Sequence, residues 1–409
     1  METPMKGIYK LDQESMRQNN ARMIFEAIYR SEGVTKNELA AATGLSVMAV
    51  SRIVDLLAEQ DVIVEKESGE NGRLGRPAKR VYIKRESIVN VGVSLDVGGV
   101  YIGAVDPYGR ILQFESHSLP LDGNHPHEAL REITELVHTF LRTYGLLNIP
   151  SVGLVMPGII DYEKGYLRLA SQLRWEAMPV ASLMESYAPI PKIILENDVK
   201  ARAQAENRFG SSKGYDSSVL LTIGSGIGAG VIINNSIYRG KDNMAGEIGH
   251  SVLCMNNRMC ECGRMGCAQA TISEPALMRE ARRVDPSIEM EGLIAAYRAG
   301  LPWAERLLHM TAEYILMLLS LLANAYAPEA IILCGSLMDR CVVLRELVSQ
   351  SFQQEQAQFL NPTFDIGFSE FGPDGNIIGA ATVAFNHNID NRILAYSFQP
   401  QAAPGGNPE

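Results

Sequence analysis

The chain has 409 residues, 46% of them hydrophobic and 21% charged, enough to bury a large core in two or three domains and too apolar for a disordered polymer. Its net charge of −10 is unevenly spread: residues 1–85 hold 14 Lys/Arg and 12 Asp/Glu, a net of +2, which leaves −12 on the remainder. An acidic protein with one basic region argues against general stickiness for polyanions and for a local anion contact near its N-terminus.

The opening METPMKGIYKLDQES has no apolar signal-peptide core. The longest apolar run, YILMLLSLLANAYA, falls short of the roughly 20 residues that span a bilayer. A cytoplasmic protein without a membrane partner is expected. In that reducing compartment clustered cysteines point to metal ligands or catalytic thiols before disulfides.

Along the chain, NNARMIFEAIYRS predicts a helix with an inward stripe of Met23, Ile24, Ala27 and Ile28. TKNELAAATG opens with Thr35 and places Glu38 three residues on, a capping box, and Gly44 stops that helix. LSVMAVSRIVDLLAEQ follows, with Ser46 as N-cap and Val50, Ile53, Val54 and Leu57 facing inward. Two helices joined by a short glycine turn predict a helix-turn-helix, and DVIVEKES, a turn at GENG and KRVYIKR predict the hairpin of a wing. Residues 71–85 hold six basic and no acidic side chains.

From about residue 86 the pattern changes to α/β, with strands alternating with helices. IVNVGVSLDVGGVYIGAVD and SSVLLTIGSGIGAGVIINNSIYRG are similar hairpins with glycine-rich turns, which predicts two related lobes with a cleft between them. HEALREITELVHTFLRTYG reads as an amphipathic helix, and IPSVGLVMPGIID and PKIILEND as buried strands. The turns Asp96, Gly98, Gly99 and Gly224, Ser225, Gly226 have the composition that lets backbone N–H groups approach a phosphate. Asp198, at the end of a buried strand, is the candidate general base, with Asn197 beside it as a ligand contact; the pair would also serve as a helix cap. His250, Cys260, Cys262 and Cys267 supply four ligands within eighteen residues, the number a closed tetrahedral zinc site requires, so one structural zinc per chain is expected. Cys254, Cys334 and Cys341 read as plain buried thiols.

LDVGGVYIGAVD, ENDVKARAQAE, TIGSGIGAGVI, GEIGH and CECGRMGC together resemble the successive signatures of the ROK family (repressors, open reading frames and kinases) over roughly residues 88–387. The N-terminal winged helix ending in GRLGRPA is similar to that of the family's repressors. The resemblance implies a winged helix-turn-helix at 1–85 followed by a two-lobed, actin-like (ribonuclease H-like) sugar-kinase fold: a first lobe at 86–200 joined by 376–396, a second at 201–375, and a flexible tail at 397–409. It also implies that Asn197, Asp198, Glu247, His250 and Gln269 line a sugar site, with Asp198 the catalytic base if the protein is a kinase and His250 shared with zinc.

Departures from the family pattern favour a repressor. Val100 replaces a threonine, Cys334 replaces a glycine near the nucleotide, and Gln269 replaces a carboxylate. ATP is therefore not expected as a cofactor. Candidate DNA contacts are Lys36, Ser46, Ala49, Ser51 and Arg52, with Arg73 and Arg76 placed to enter a minor groove. The last two also read as a basic solvated linker, and a winged helix also serves as a protein-interaction module. The expected partners are operator DNA and a sugar or sugar-phosphate effector, in a homodimer or homotetramer. The alternative is an ATP-dependent sugar kinase with a DNA-binding appendage.

Overall fold

The computed structural model describes residues 13–31, 33–67, 79–84, 88–121, 123–254, 258–355 and 364–395. The chain divides into two compact units: the residues up to Val89 together with those from Phe385 on, and Asn90–Ala384.

The first unit holds helices Gln13–Arg30, Lys36–Thr43 and Val47–Glu59 and strands Ile63–Glu67 and Lys79–Ile83. The capping box forms: Glu38 N donates to Thr35 Oγ1 at 3.2 Å, and Thr35 N donates to the Glu38 carboxylate at 2.8 Å. Gly44 ends that helix in the left-handed region at φ 70°. Ser46 caps the next, its Oγ accepting from Ala49 N at 3.2 Å. The wing strands pair antiparallel from Ile63↔Ile83 to Glu67↔Lys79. A third strand, Val34–Thr35, pairs with Val81 and Arg80; two residues are too short for any periodicity to announce.

The stripe expected on the first helix is corrected. Met23 is exposed and Ala27 half-buried, whereas Ala21, Ile24, Phe25, Ile28 and Tyr29 are buried. The face is set by a partner remote in sequence: the Phe385 ring lies 6.0 Å from that of Phe25 and 5.5 Å from that of Tyr29. The wing tip, with GENG, Arg73 and Arg76, and the tail at 397–409 lie outside the described residues.

The second unit contains two five-stranded sheets built on one plan. The first runs, in spatial order, Lys192–Asn197, Ser151–Met156, Asn90–Asp96, Gly99–Val105, Ile111–His117. The second runs Asp365–Phe368, Ala330–Cys334, Ser218–Ile223, Ile227–Ile233, Ser236–Ile237. In each, a hairpin and a third antiparallel strand lie on one side of the founding strand, and two parallel strands are added on the other. Ser151–Met156 and Ala330–Cys334 are buried at every position, as strands covered on both faces must be. A small antiparallel sheet of Ile159–Asp161, Tyr166–Ala170 and Trp175–Met178 is an insertion that the sequence reading did not resolve.

Helix Gly375–Ala395 lies against the first sheet over a row of glycines. Gly103, Gly92 and Gly153 are neighbours in register on three adjacent strands. A Cβ at Gly92 would come 2.6 Å from Ala381 N, and one at Gly153 would come 1.9 Å from Ala380 O, so any side chain in this row would push the helix away. From Phe385 on, the same helix belongs to the first unit. Helix Pro302–Tyr326 has 25 residues and is apolar enough to cross a membrane, which corrects the expectation that the run is too short. It begins at Pro302, well before the run that the sequence displays. Its Leu308, Ile315, Leu319 and Leu322 are fully buried and share one core cluster with Leu333 and Leu344.

Candidate functional site

The loops after the strands of both sheets converge on a cavity of about 1520 Å³. A crevice beyond the carboxyl ends of strands is where α/β sheets bind ligands. Asp96, Asn197, Asp198, Gly224, Ser225, Gly226, Glu247, His250 and Gln269 all line it. Gly98 and Gly99 do not: Gly98 is exposed at the hairpin tip, and Gly99 is buried, where a Cβ would come 2.4 Å from His117 O.

Asn197 and Asp198 sit where a strand becomes the helix Asp198–Phe209. Asn197 is the N-cap, its Oδ1 accepting from Lys200 N at 3.1 Å. Its Nδ2 donates to Gly158 O and to Asp198 Oδ1, both at 3.1 Å, which orients the carboxylate. Asn197 thus performs the capping role, and Asp198 presents its carboxyl to the cavity. Desolvation pushes the Asp198 pKa up to about 6, against the Val199 N–H that favours the charged form and with a further push from Asp96.

The GEIGH segment reaches the cavity because two glycines press it onto strand Ile227–Ile233. A Cβ at Gly246 would come 1.8 Å from Ala229 O, and one at Gly249 2.2 Å from Ile227 O. Ala229 N donates to Gly246 O at 2.8 Å. This clamp holds Glu247 and His250 on the cavity wall. Gln269 accepts weakly from Ile227 N at 3.5 Å, beside the Gly224–Gly226 turn.

Two of the departures read from the sequence act elsewhere. Val100 is fully buried on its strand opposite Leu95 and His117. Cys334, whose side chain in place of glycine is expected to obstruct a nucleotide pocket, is fully buried with its Sγ 3.1 Å from Thr222 Oγ1 and does not line the cavity. The sequence reading missed Glu274. Its backbone N donates to Gly224 O at 2.8 Å, and its carboxylate accepts from Ser336 Oγ and, at 2.7 Å, from Arg340 Nη1. Arg340 also reaches Glu291 at 3.2 Å. A carboxylate therefore stands beside the turn whose amides a phosphate would need, and the nearby guanidinium is already paired.

Also missed was a buried network behind Asn197. Glu196 is fully buried and accepts from Asn197 N at 2.8 Å, Asn243 Nδ2 at 3.1 Å and Arg239 Nη1. The Arg239 guanidinium lies 3.8 Å from the Tyr162 ring centroid.

The candidate metal ligands come together. One ligand atom from each of His250, Cys260, Cys262 and Cys267 lies within 4.8 Å of every other. Cys260 Sγ is 3.6 Å from His250 Nδ1, and Cys262 Sγ is 3.7 Å from Cys267 Sγ. Four ligands about 2.3 Å from a tetrahedral centre would be separated by about 3.8 Å, so the donor set fits a metal of that geometry. Cys334 and Cys341 are buried thiols, and Cys254 is partly exposed.

On the first unit, Lys36 is paired with Glu65 at 2.7 Å and Asp55 at 3.0 Å. Ser46 is occupied as a cap. Ala49 and Ser51 are half-buried, and Arg52 is exposed. Val47 and Met48, which stand beside Ala49 in SVMAVSR and are not counted among the contacts because they offer no polar base readout, are 48% and 83% exposed at the start of the second helix of the motif. Their signal was present: both fall off the stripe that the other apolar residues of that helix define.

A MarR family profile matches residues 18–74, and a ROK family profile matches residues 92–387. The chain is 26% identical over 387 residues to a xylose repressor of Bacillus spizizenii, covering 93% of this chain and 98% of that one. It is 26% identical over 313 residues to a glucokinase of Streptomyces coelicolor, covering 71% of this chain and 96% of the relative. A crystal structure described as a ROK family transcriptional regulator homologous to the Escherichia coli Mlc protein superposes with a TM-score of 0.78 at 21% identity, over 93% of this chain and 98% of that one. The second profile spans nearly the whole of the unit that holds the cleft, and the chain belongs to the ROK family.

Proposed function

We propose that the protein is a sugar-responsive transcriptional repressor that binds operator DNA through its winged helix and a sugar in the cleft of its second unit. The observation that carries this reading is the pairing, in one chain, of a capped helix-turn-helix with a strand-end cavity lined by Asp198, Glu247 and His250. End-to-end similarity to a protein named for xylose repression supports it. Helix-turn-helix proteins bind two half-sites about one helical turn apart, or a multiple of that, so a homodimer or homotetramer is the working form. Its place is the cytoplasm, where operator DNA is.

Asn197, Asp198, Glu247, His250 and Gln269 form the sugar site in this reading. The four-ligand cluster takes one structural zinc, which fixes the loop carrying His250, so that one ring nitrogen serves the metal and the other remains for a sugar hydroxyl. ATP plays no part. Glu274 beside Gly224 and the pairing of Arg340 with Glu274 and Glu291 disfavour a nucleotide phosphate there. The kinase reading rests on Asp198, whose raised pKa suits a general base, and on glucokinase relatives.

One experiment separates the two. Operator fragments recovered by in vitro selection are titrated with the full chain, with and without xylose and a panel of other sugars, and the same sugars are incubated with ATP. DNA binding that one sugar changes, without sugar-phosphate formation, is the expected result. Turnover of about 1 per second or more that disappears in Asp198→Ala would establish the kinase instead.

A further inference from the structure

Lys200 is the side chain in the cleft that the sugar site described above leaves unexplained. It sits in the first turn of helix Asp198–Phe209, is 2% exposed, and lines the cavity. Its amine makes no hydrogen bond or ion pair among the described residues, and neither does the Glu247 carboxylate on the same cavity wall. Glu196, the other carboxylate nearby, is already occupied by Arg239, Asn243 and the Asn197 N–H. Burial lowers the Lys200 pKa, while Glu196 and Glu247 act through space in the opposite direction. The amine and Glu247 therefore sense each other without touching. The amine opens onto the cavity, so a ligand that excludes water there must either satisfy it or leave it at a cost, and one that satisfies it gains affinity.

The chemistry of that ligand follows from the pair. The amine donates and the carboxylate accepts, so the group that bridges them must accept from one and donate to the other. A hydroxyl does both, whereas an ionised phosphate or carboxylate only accepts and an ammonium only donates. Charge argues the same way. Six carboxylates, Asp198 and Asp96 among them, line the cavity against four basic side chains, three of them arginines, so the lining is net negative and a phosphate would add to that charge. We propose that Lys200, with Glu247, is a specificity-determining residue that selects an uncharged sugar through one bridging hydroxyl and discriminates against phosphorylated and acidic sugars. The proposal rests on the reading that the cleft binds a sugar.

Calorimetry on the full chain tests it. The probes are xylose and glucose against glucose 6-phosphate and glucuronate, with wild type, Lys200→Met and Lys200→Gln. The neutral sugar that binds best should lose about 10- to 100-fold in affinity in Lys200→Met, the loss expected for a hydrogen bond to a charged group. Lys200→Gln, which keeps a donor, should recover part of it. The melting temperature of unliganded Lys200→Met should not fall, because its methionine replaces an unpartnered amine. A phosphorylated or acidic sugar that binds as tightly as its neutral parent would overturn the proposal, as would wild-type affinity in Lys200→Met. If no sugar of either kind binds wild type, the cleft reading itself is wrong and the proposal falls with it.

Discussion

Asp198 shows how one side chain's environment decides its use. The N-terminus of a helix normally stabilises a carboxylate, yet burial outweighs the Val199 N–H and pushes this pKa up to about 6. If Asp198 contacts the sugar as proposed, its ionised form above that pH would accept a hydroxyl, and protonation below it would remove that acceptor. Effector affinity should be flat from pH 7 to 8 and fall about tenfold for each unit below 6. Calorimetry across pH 5–8 should show the inflection in wild type and none in Asp198→Asn; the same profile for both would exclude the assignment. On the DNA side, Arg52 is exposed while Lys36 is held by Glu65 and Asp55. Arg52→Ala should weaken operator binding by about 1–3 kcal/mol, and Lys36→Ala should act mainly on stability. Met48, at 83% exposure, is an apolar probe suited to a thymine methyl. Met48→Ala should relax preference at one A·T position in a selection experiment while leaving the salt dependence unchanged. A variant that selects the same sequences as wild type would remove Met48 from the contact surface.

The loop that carries the four candidate metal ligands is the element whose sequence said most. One His and three Cys in GEIGH and CECGRMGC are the donor types and number a tetrahedral metal site takes, and the chain brings their atoms within 4.8 Å of one another. Purified protein should carry about one zinc per chain, and Cys262→Ser should lose the metal and lower the melting temperature, because the binding energy of a structural metal is folding energy. Metal analysis that finds none in chelator-free preparations would remove zinc from the account. Capped helices and glycine hairpins were equally legible, since Thr35–Glu38, Ser46 and the two turns act on residues within a few positions of themselves. What the sequence hid depends on distant partners. The buried face of the first helix is chosen by Phe385, and the glycine row Gly103, Gly92, Gly153 has meaning only once three strands align under one helix. Cys334 and Val100 misled for the same reason. Strand position told where the backbone runs, but not which face of the sheet each side chain enters. Lys200 and Glu274 carry no signal of their own in the sequence; only the fold sets them on the cavity wall and beside Gly224.

At the scale of the whole molecule, one helix belongs to both units. Gly375–Ala395 begins at the cavity, where Asn376 and Ile377 are lining residues, and from Phe385 on it packs in the DNA-binding unit against Phe25 and Tyr29. At 1.5 Å per residue its 21 residues extend about 31 Å. A ligand changes DNA affinity only if it binds two conformations with different strength, and closure of the cleft around a sugar would supply such a difference. The chain joins the two units near residues 84–90 and again along this helix, and we propose the second connection as the route by which the sugar site acts on the winged helix. Coupling free energies of about 1–3 kcal/mol correspond to a change of roughly 5–150-fold in affinity, and reciprocity requires operator DNA to change sugar affinity by the same factor. Glu247→Ala should bind operator like wild type and no longer respond to sugar, because it lacks the cleft contact. Phe385→Ala should bind sugar like wild type yet transmit less of it, because the ring contacts that hold the end of the helix against Phe25 and Tyr29 are lost. Titrations of operator at fixed salt, with and without the effector, distinguish these outcomes. A Phe385→Ala protein that keeps its fold, its sugar affinity and its full response would mean that the signal travels through the chain near residues 84–90 and not through the shared helix.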